Sequence, residues 1–189
     1  MIESSYSYKD EQNYQIIDGQ VYMMSRPNTN HMRIEGNIFN AFKNYLKGKK
    51  CEPFNETDVQ FDEENNFIPD VIIVCDPEII KEEAIHGVPD LVVEILSPST
   101  ARNDKIKKKI IYEKYGVKEY WIVDPFSKSV EVYLLKENKL ELDDVYSTYR
   151  DYELKKLNEE EKASIKKAIK LSIYEDFEVK MEDIFENVK

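Results

Sequence analysis

Three side chains have types and surroundings that ordinary packing does not explain. Glu94 sits inside the apolar run Val92-Val93-Glu94-Ile95-Leu96, after Pro89-Asp90 and before Ser97-Pro98. A short run of Val, Ile and Leu reads as a strand buried on both faces. A carboxylate there is costly unless it is paired, hydrogen-bonded or bound to a cation. Upstream, Pro69-Asp70-Val71-Ile72-Ile73-Val74 opens a second apolar strand with an acid, and downstream a lysine-rich helix carries Lys108. Two carboxylates on neighbouring buried strands, with a lysine, form a set that can hold a divalent metal and act on a phosphodiester.

Each has a plainer reading beside it. Asp70 can cap a loop or pair with a buried base. Asp90 shares strand parity with Glu94 and competes for the same face, but it follows a proline at the strand's far end, so Asp70 is the preferred partner and Asp90 a structural residue. Lys108 falls at helical spacing from Asp104, Ile111, Tyr112 and Tyr115 and can point inward. It can equally be one solvated lysine among four, and Ile106 and Ile110 fall on another side of the helix. His31 and Glu35 lie on the apolar stripe of an earlier helix. A core histidine satisfied by a hydrogen bond is the preferred reading of His31. Glu35 is a carboxylate rarely left unpaired when buried, free to join the metal site through a water or to orient Lys108.

The elements that must position these residues can be read from pattern. Tyr14 to Met24 alternates around Asp18-Gly19, a hairpin signal. Asn28 or Asn30 caps a helix from about His31 to Lys47, with Ile34, Ile38, Phe42, Tyr45 and Leu46 on one face. Short strands follow near 51–54 and 59–61, then the two apolar strands near 70–74 and 90–96. A helix runs from about Ala101 to Tyr115 and ends at Gly116. A strand over Glu119 to Val123 turns at Asp124-Pro125, and Val130 to Leu135 pairs back. A charged helix over roughly Glu159 to Lys170 and the segment ending at Phe185 read as additions at the core's edge. The order predicts an α/β fold, a mixed β-sheet core flanked by helices, in one domain: a core over about 10–150 with a C-terminal helical accretion over about 151–189.

Composition narrows the partners. With 189 residues the chain can bury a core, and its charged fraction of 34% implies a heavily ionised surface. A net charge of −11 counts against nonspecific nucleic-acid binding. From Arg102 to Lys118, however, seven Lys and Arg face only Asp104 and Glu113, a patch that can receive a polyanion or serve as a solvated helix face. Cys51 and Cys75 lack metal-ligand spacing, and two buried thiols are preferred over a disulfide. Met1-Ile2-Glu3-Ser4-Ser5-Tyr6 has no leader pattern and no run is long enough to span a membrane, so a cytoplasmic protein is expected.

The sequence resembles the PD-(D/E)XK nuclease superfamily, and within it the Uma-type restriction-endonuclease-like family. The resemblance rests on Gly87-Val88-Pro89-Asp90-Leu91-Val92-Val93-Glu94-Ile95-Leu96-Ser97-Pro98-Ser99-Thr100, on Asp104 to Lys108, on Tyr112, and on Gly116-Val117-Lys118-Glu119-Tyr120-Trp121-Ile122-Val123-Asp124-Pro125. It implies a restriction endonuclease-like fold in which Asp70 and Glu94 are metal-binding acids. The superfamily's lysine two residues after the glutamate is replaced by Leu96, and the resemblance places that lysine on the following helix, at Lys108. Glu35 matches the acid of the first core helix.

The expected activity is Mg²⁺-dependent hydrolysis of DNA, with Mn²⁺ as an alternative ion. Asp70, Glu94 and the Ile95 carbonyl would hold the ion, Lys108 would serve the phosphate or the attacking water, and Glu35 an outer-shell water or a weaker second metal. Arg102, Lys105 and Lys107 would bind the DNA backbone, and a homodimer would suit cutting both strands. The rival is a non-catalytic nucleic-acid- or protein-binding module on the same fold. Glycoside hydrolysis by two carboxylates fits less well with an inward lysine.

Overall fold

The computed structural model describes residues 14–189; the reading of Met1–Tyr6 lies outside them. The hairpin forms where its turn chemistry predicts it. Strands β1 (Tyr14–Ile17) and β2 (Gln20–Met23) are joined by Asp18 and Gly19, both at positive φ, the geometry of a two-residue hairpin turn. Helix α1 (Thr29–Leu46) starts at Asn28, whose side chain accepts hydrogen bonds from the Asn30 and His31 N–H groups.

Seven short strands and a helix build the centre of the molecule. They are β3 (Glu52–Asn55), β4 (Val59–Gln60), β5 (Asn66–Phe67), β6 (Val71–Val74), β7 (Ile85–His86), β8 (Leu91–Ile95), then α2 (Lys109–Tyr115), and β9 (Glu119–Asp124). Strands β10 (Ser129–Lys136) and β11 (Lys139–Ser147) complete a six-stranded sheet in the order β11-β10-β9-β8-β6-β3. Within it β8 and β9 run parallel and the other neighbours antiparallel, so the sheet is mixed. The β1–β2 hairpin belongs to a second, five-stranded sheet, β2-β1-β5-β4-β7.

Helix α2 is entered through a π-helical segment, Asn103–Lys108. Asp104 and Lys108 are buried while Ile106 and Ile110 are left exposed, and π-bulges inside α-helices recur at functional sites. Gly116, left-handed at φ 87°, ends the helix by donating to the Tyr112 and Glu113 carbonyls.

One face of the six-stranded sheet packs on α1 through Ile34, Ile38 and Phe42 against Val71, Val93 and Trp121. The opposite face packs on α2 through Ile111 and Tyr112 against Val92, Tyr120 and Ile122.

Two expectations are corrected here. The C-terminal helix is shorter than predicted: α3 (Asp151–Leu154) and α4 (Glu159–Ser164) are followed by strand β12 (Ala168–Lys170), which pairs with β13 (Glu178–Lys180) before α5 (Met181–Ile184). This segment is no edge decoration, because Ile169, Leu171, Val179, Ile184 and Phe185 sit in the α1-side core. The buried Glu119 carboxylate ties it down, accepting from Trp121 Nε1 at 2.6 Å and from the Ser172 N–H and hydroxyl at 2.7 and 2.6 Å. The cysteines form a disulfide, Cys51–Cys75, instead of two free thiols. The antiparallel register of β3 on β6 opposes Glu52 to Val74 and therefore the two cysteines just beyond, a proximity that sequence spacing does not reveal. The cysteines thus give no support to a reducing compartment. Among the described residues, no helix is long and apolar enough to cross a membrane.

Candidate active site

Strand pairing brings the two acids together. Val71 opposes Val93 on β6 and β8, so Asp70 and Glu94 fall at the next register step. Asp70 is clamped from both sides: the Ile95 N–H donates to Oδ2 at 2.5 Å, and His31 Nε2 donates to Oδ1 at 2.8 Å. Glu94, 3% exposed, accepts at Oε1 from the Tyr112 hydroxyl at 2.6 Å and from Lys108 Nζ at 2.9 Å. Lys108, 2% exposed, reaches a second carboxylate, Asp104 Oδ1, at 3.2 Å. A π-helical i,i+4 pair thus puts one ammonium between two buried acids.

The electrostatics follow from this packing. Burial pushes the Glu94 carboxyl above its ordinary value, opposed by Lys108 and reinforced by the nearby charges of Asp104 and Asp70. Burial alone would lower the Lys108 ammonium, but Glu94 and Asp104 outweigh it and hold the lysine protonated. The two shifts coexist because Asp104 shares the ammonium, so Glu94 does not have it to itself. For His31, burial is outweighed by the bond to Asp70 and by the charges of Asp70, Glu35 and Glu94, and its affinity for a proton rises.

These groups line a cleft of about 820 Å³. Asp70, Glu94, Ile95, Asp104 and Lys108 contribute, with the Ser97–Thr100 loop, residues 24–28, His31 and Gln15. Asp70, Glu94, Lys108 and Ile95 are therefore brought together as the sequence predicts. Glu35 stands apart: its carboxylate accepts from Asn55 Nδ2 at 2.7 Å and makes no contact with Lys108 among the described residues, which corrects the orienting role expected for it. Burial, then the charges of Glu56 and Asp70, raise its proton affinity against the Asn55 bond. Asp90 holds the far end of β6, accepting from the Cys75 N–H at 2.8 Å and Lys118 at 2.7 Å, as its structural reading requires.

The three DNA-binding candidates do not line the cleft. Arg102 is exposed just before the π segment. Lys105 pairs with Glu131 at 2.6 Å, and Lys107 donates to the Tyr22 hydroxyl at 2.5 Å with its ammonium over that ring.

Asp104, Tyr112 and Gln15 were not singled out as site residues from sequence. The i,i+4 spacing of Asp104 and Lys108 was the available signal for the first.

Among the described residues, no three His, Cys, Asp or Glu side chains converge as a self-sufficient metal cage. Two carboxylates and a main-chain carbonyl are nonetheless hard oxygen donors of the kind that suit Mg²⁺, which is typically held by one or two carboxylates and keeps several waters. Among the described residues Glu94 Oε2 accepts no hydrogen bond, and each Asp70 oxygen, having accepted one, retains a lone pair. The donor set fits a hydrated hard cation.

Comparison with known proteins agrees with this architecture. Residues 3–169 match a family model described as "Uma2: Putative restriction endonuclease". The chain belongs to the Uma2 family. It is 32% identical over 128 residues, 66% of this chain and 67% of the relative, to "Uncharacterized protein slr1290" of Synechocystis sp.. A crystal structure described as "a putative nuclease belonging to DUF820 from Anabaena variabilis ATCC 29413" superposes with a TM-score of 0.70, covering 93% of this chain and 90% of that one at 20% identity. That similarity shows that the two share a fold. The Uma2 assignment spans the cleft, from the β1–β2 hairpin through α2.

Proposed function

We propose that this Uma2 chain is a divalent-cation-dependent endonuclease that hydrolyses DNA phosphodiester bonds. The observation that carries the reading is the buried Lys108–Glu94 pair beside Asp70 in an open cleft. Asp70, Glu94 and the Ile95 carbonyl would hold Mg²⁺ or Mn²⁺. When bound, such an ion acidifies a water and offsets charge on the phosphate. Lys108, kept protonated by Glu94 and Asp104, presents its charge where negative charge develops on the phosphate oxygens. His31 and the Ile95 N–H fix the Asp70 carboxylate, and Tyr112 fixes Glu94. Glu35 contributes through the field it exerts on His31. Arg102, Lys105 and Lys107, along the π segment and outside the cleft lining, would receive the DNA backbone, and two copies related by a two-fold axis would cut both strands. The whole chain, C-terminal segment included, is taken as one folding unit.

The test is plasmid cleavage in Mg²⁺ and in Mn²⁺, with wild type beside Glu94→Gln and Lys108→Met. Metal-dependent nicking lost in both variants is expected. Equal cleavage by wild type and Glu94→Gln would end the assignment.

A second reading, a binding module on the same fold, is favoured by one observation. Both Asp70 oxygens and Glu94 Oε1 already have protein partners, so three of the four carboxylate oxygens are met without an ion. DNA retention by folded wild type with no cleavage in either ion would select it.

A further inference from the structure

Gln15 stands out among the groups of the cleft. It lies on the inward face of β1 with Ile17 and is 3% exposed. Its Oε1 is buried and, among the described residues, has no hydrogen-bond partner, although the residue lines the same cleft as Asp70, Glu94, Ile95 and Lys108. Two other buried oxygens among the described residues share that condition, and neither is a second free acceptor in the cleft wall. Asp104 Oδ1 has the Lys108 ammonium at 3.2 Å, and Asn66, which donates through Nδ2 to Asp58, does not line the cleft. A buried acceptor left unmet destabilises the fold, and an apolar residue such as the neighbouring Ile17 would avoid that cost. The position holds an amide in the wall of a polar cleft.

The missing partner must be a donor. A phosphodiester backbone offers only acceptors. Lys108 is engaged by Glu94 and Asp104, and Tyr22, opposite Gln15 in the hairpin, donates its hydroxyl to Gln20. Waters on a hard divalent cation are strong donors, and Mg²⁺ keeps several of them. We propose that Gln15 is an outer-sphere positioning residue whose amide oxygen accepts a hydrogen bond from a water carried by the cation of the Asp70–Glu94 site. This rests on the cation-site reading above. It ties the β1–β2 hairpin to the strand ends across the cleft, in the way outer-shell partners orient and tune metal sites.

Calorimetric titration of Mn²⁺ and Mg²⁺ into full-length wild type, Gln15→Leu, Gln15→Glu and Asp70→Asn separates the outcomes, with melting temperatures in EDTA beside it. The expected result is binding that is lost in Asp70→Asn, weakened about tenfold or more in Gln15→Leu, and kept or tightened in Gln15→Glu. The melting temperature of Gln15→Leu should stand at or above wild type, because an unmet acceptor has been removed. Wild-type binding lost in Asp70→Asn but unchanged in Gln15→Leu overturns the role of Gln15 alone. No binding by wild type, or equal binding by Asp70→Asn, overturns the cation site itself. Equal weakening in Gln15→Leu and Gln15→Glu with lowered melting temperatures would make Gln15 a structural residue and defeat the proposal. If Gln15→Leu does not fold, Gln15→Met, closer in shape, carries the same comparison.

Discussion

Lys108 Nζ lies 2.9 Å from Glu94 Oε1, so a single ammonium fastens the π segment before α2 to the end of strand β8. Both groups are almost wholly buried, and Asp104 approaches the same ammonium from the helix side. Removing one member of such a set leaves an uncompensated charge in the interior. Lys108→Ala should therefore destabilise the fold by about 3–5 kcal/mol, measured by urea unfolding. The double variant Lys108→Met with Glu94→Gln should recover a substantial part, because it leaves fewer orphaned charges. A double variant no more stable than Lys108→Ala would show that the pair is not coupled.

The pH dependence has a defined sign. Glu94 and Glu35 are raised above the ordinary 4.5, and His31 above 6.5. For each, the folded chain binds its proton more tightly than the unfolded chain. That stability is fully present below the ordinary value and is lost as pH rises through the raised one. In EDTA the urea midpoint should fall between pH 5 and pH 8, less steeply in Glu94→Gln. A midpoint that rises across that interval would contradict the burial argument. Added Mg²⁺ should flatten the slope, since a bound cation favours the ionised carboxylates.

The disulfide closes a loop of sequence separation 24. On loop entropy alone, such a bridge stabilises by about 3–4 kcal/mol. Treatment with a reductant should lower the urea midpoint of wild type and leave Cys51→Ser with Cys75→Ser unchanged. Two titratable thiols in the folded, untreated protein would show that the bridge is not formed.

On the DNA-binding reading, the basic residues should separate by their present partners. Arg102→Ala should reduce the slope of log affinity against log salt by about one, followed by anisotropy of a labelled duplex in Ca²⁺. Lys105 is already paired with Glu131, so its alanine variant should change the slope less. Equal effects of both would mean that the Lys105–Glu131 pair opens on DNA.

Truncation after Ser164 tests the corrected view of the C-terminus. It removes Ile169, Leu171 and Ile184 from the core and the Ser172 donors from Glu119. Loss of cooperative unfolding is expected, and a native-like melt of the truncated chain would restore the status of an appendage.

What was legible in the sequence was whatever has a local cause. The β1–β2 turn is encoded in Asp18-Gly19, the α1 start in Asn28, and Glu94 stands out because a charge in an apolar strand demands a partner. Lys108 was half legible. Helical spacing puts it on the face of Ile111 and Tyr112 and puts Ile106 and Ile110 on another, whereas residue type alone would bury the isoleucines and expose the lysine. Features that depend on distant pairing stayed hidden. The cysteine bridge follows from the register of β3 on β6. Asp104, although four residues from Lys108, reads as one polar residue in a lysine-rich stretch until that lysine's burial is known. Gln15 sits between Tyr14 and Ile16, and a strand with apolar neighbours on both sides of a glutamine suggests the glutamine faces water, whereas Gln15 and Ile17 face inward.

The π segment also makes the site sensitive to chain length as well as to side-chain chemistry. A π turn holds more residues than an α turn, so deleting one residue between Asp104 and Lys108 would let the helix relax to regular α geometry. The deletion would bring Asp104 from four residues before Lys108 to three, a spacing that still shares a helix face but sets the two side chains at a different angle. The shortened helix should be locally more regular yet present that ammonium to its two acids at an altered angle. Along this stretch, a single-codon deletion would be a more severe lesion than most exchanges of one exposed lysine for another residue.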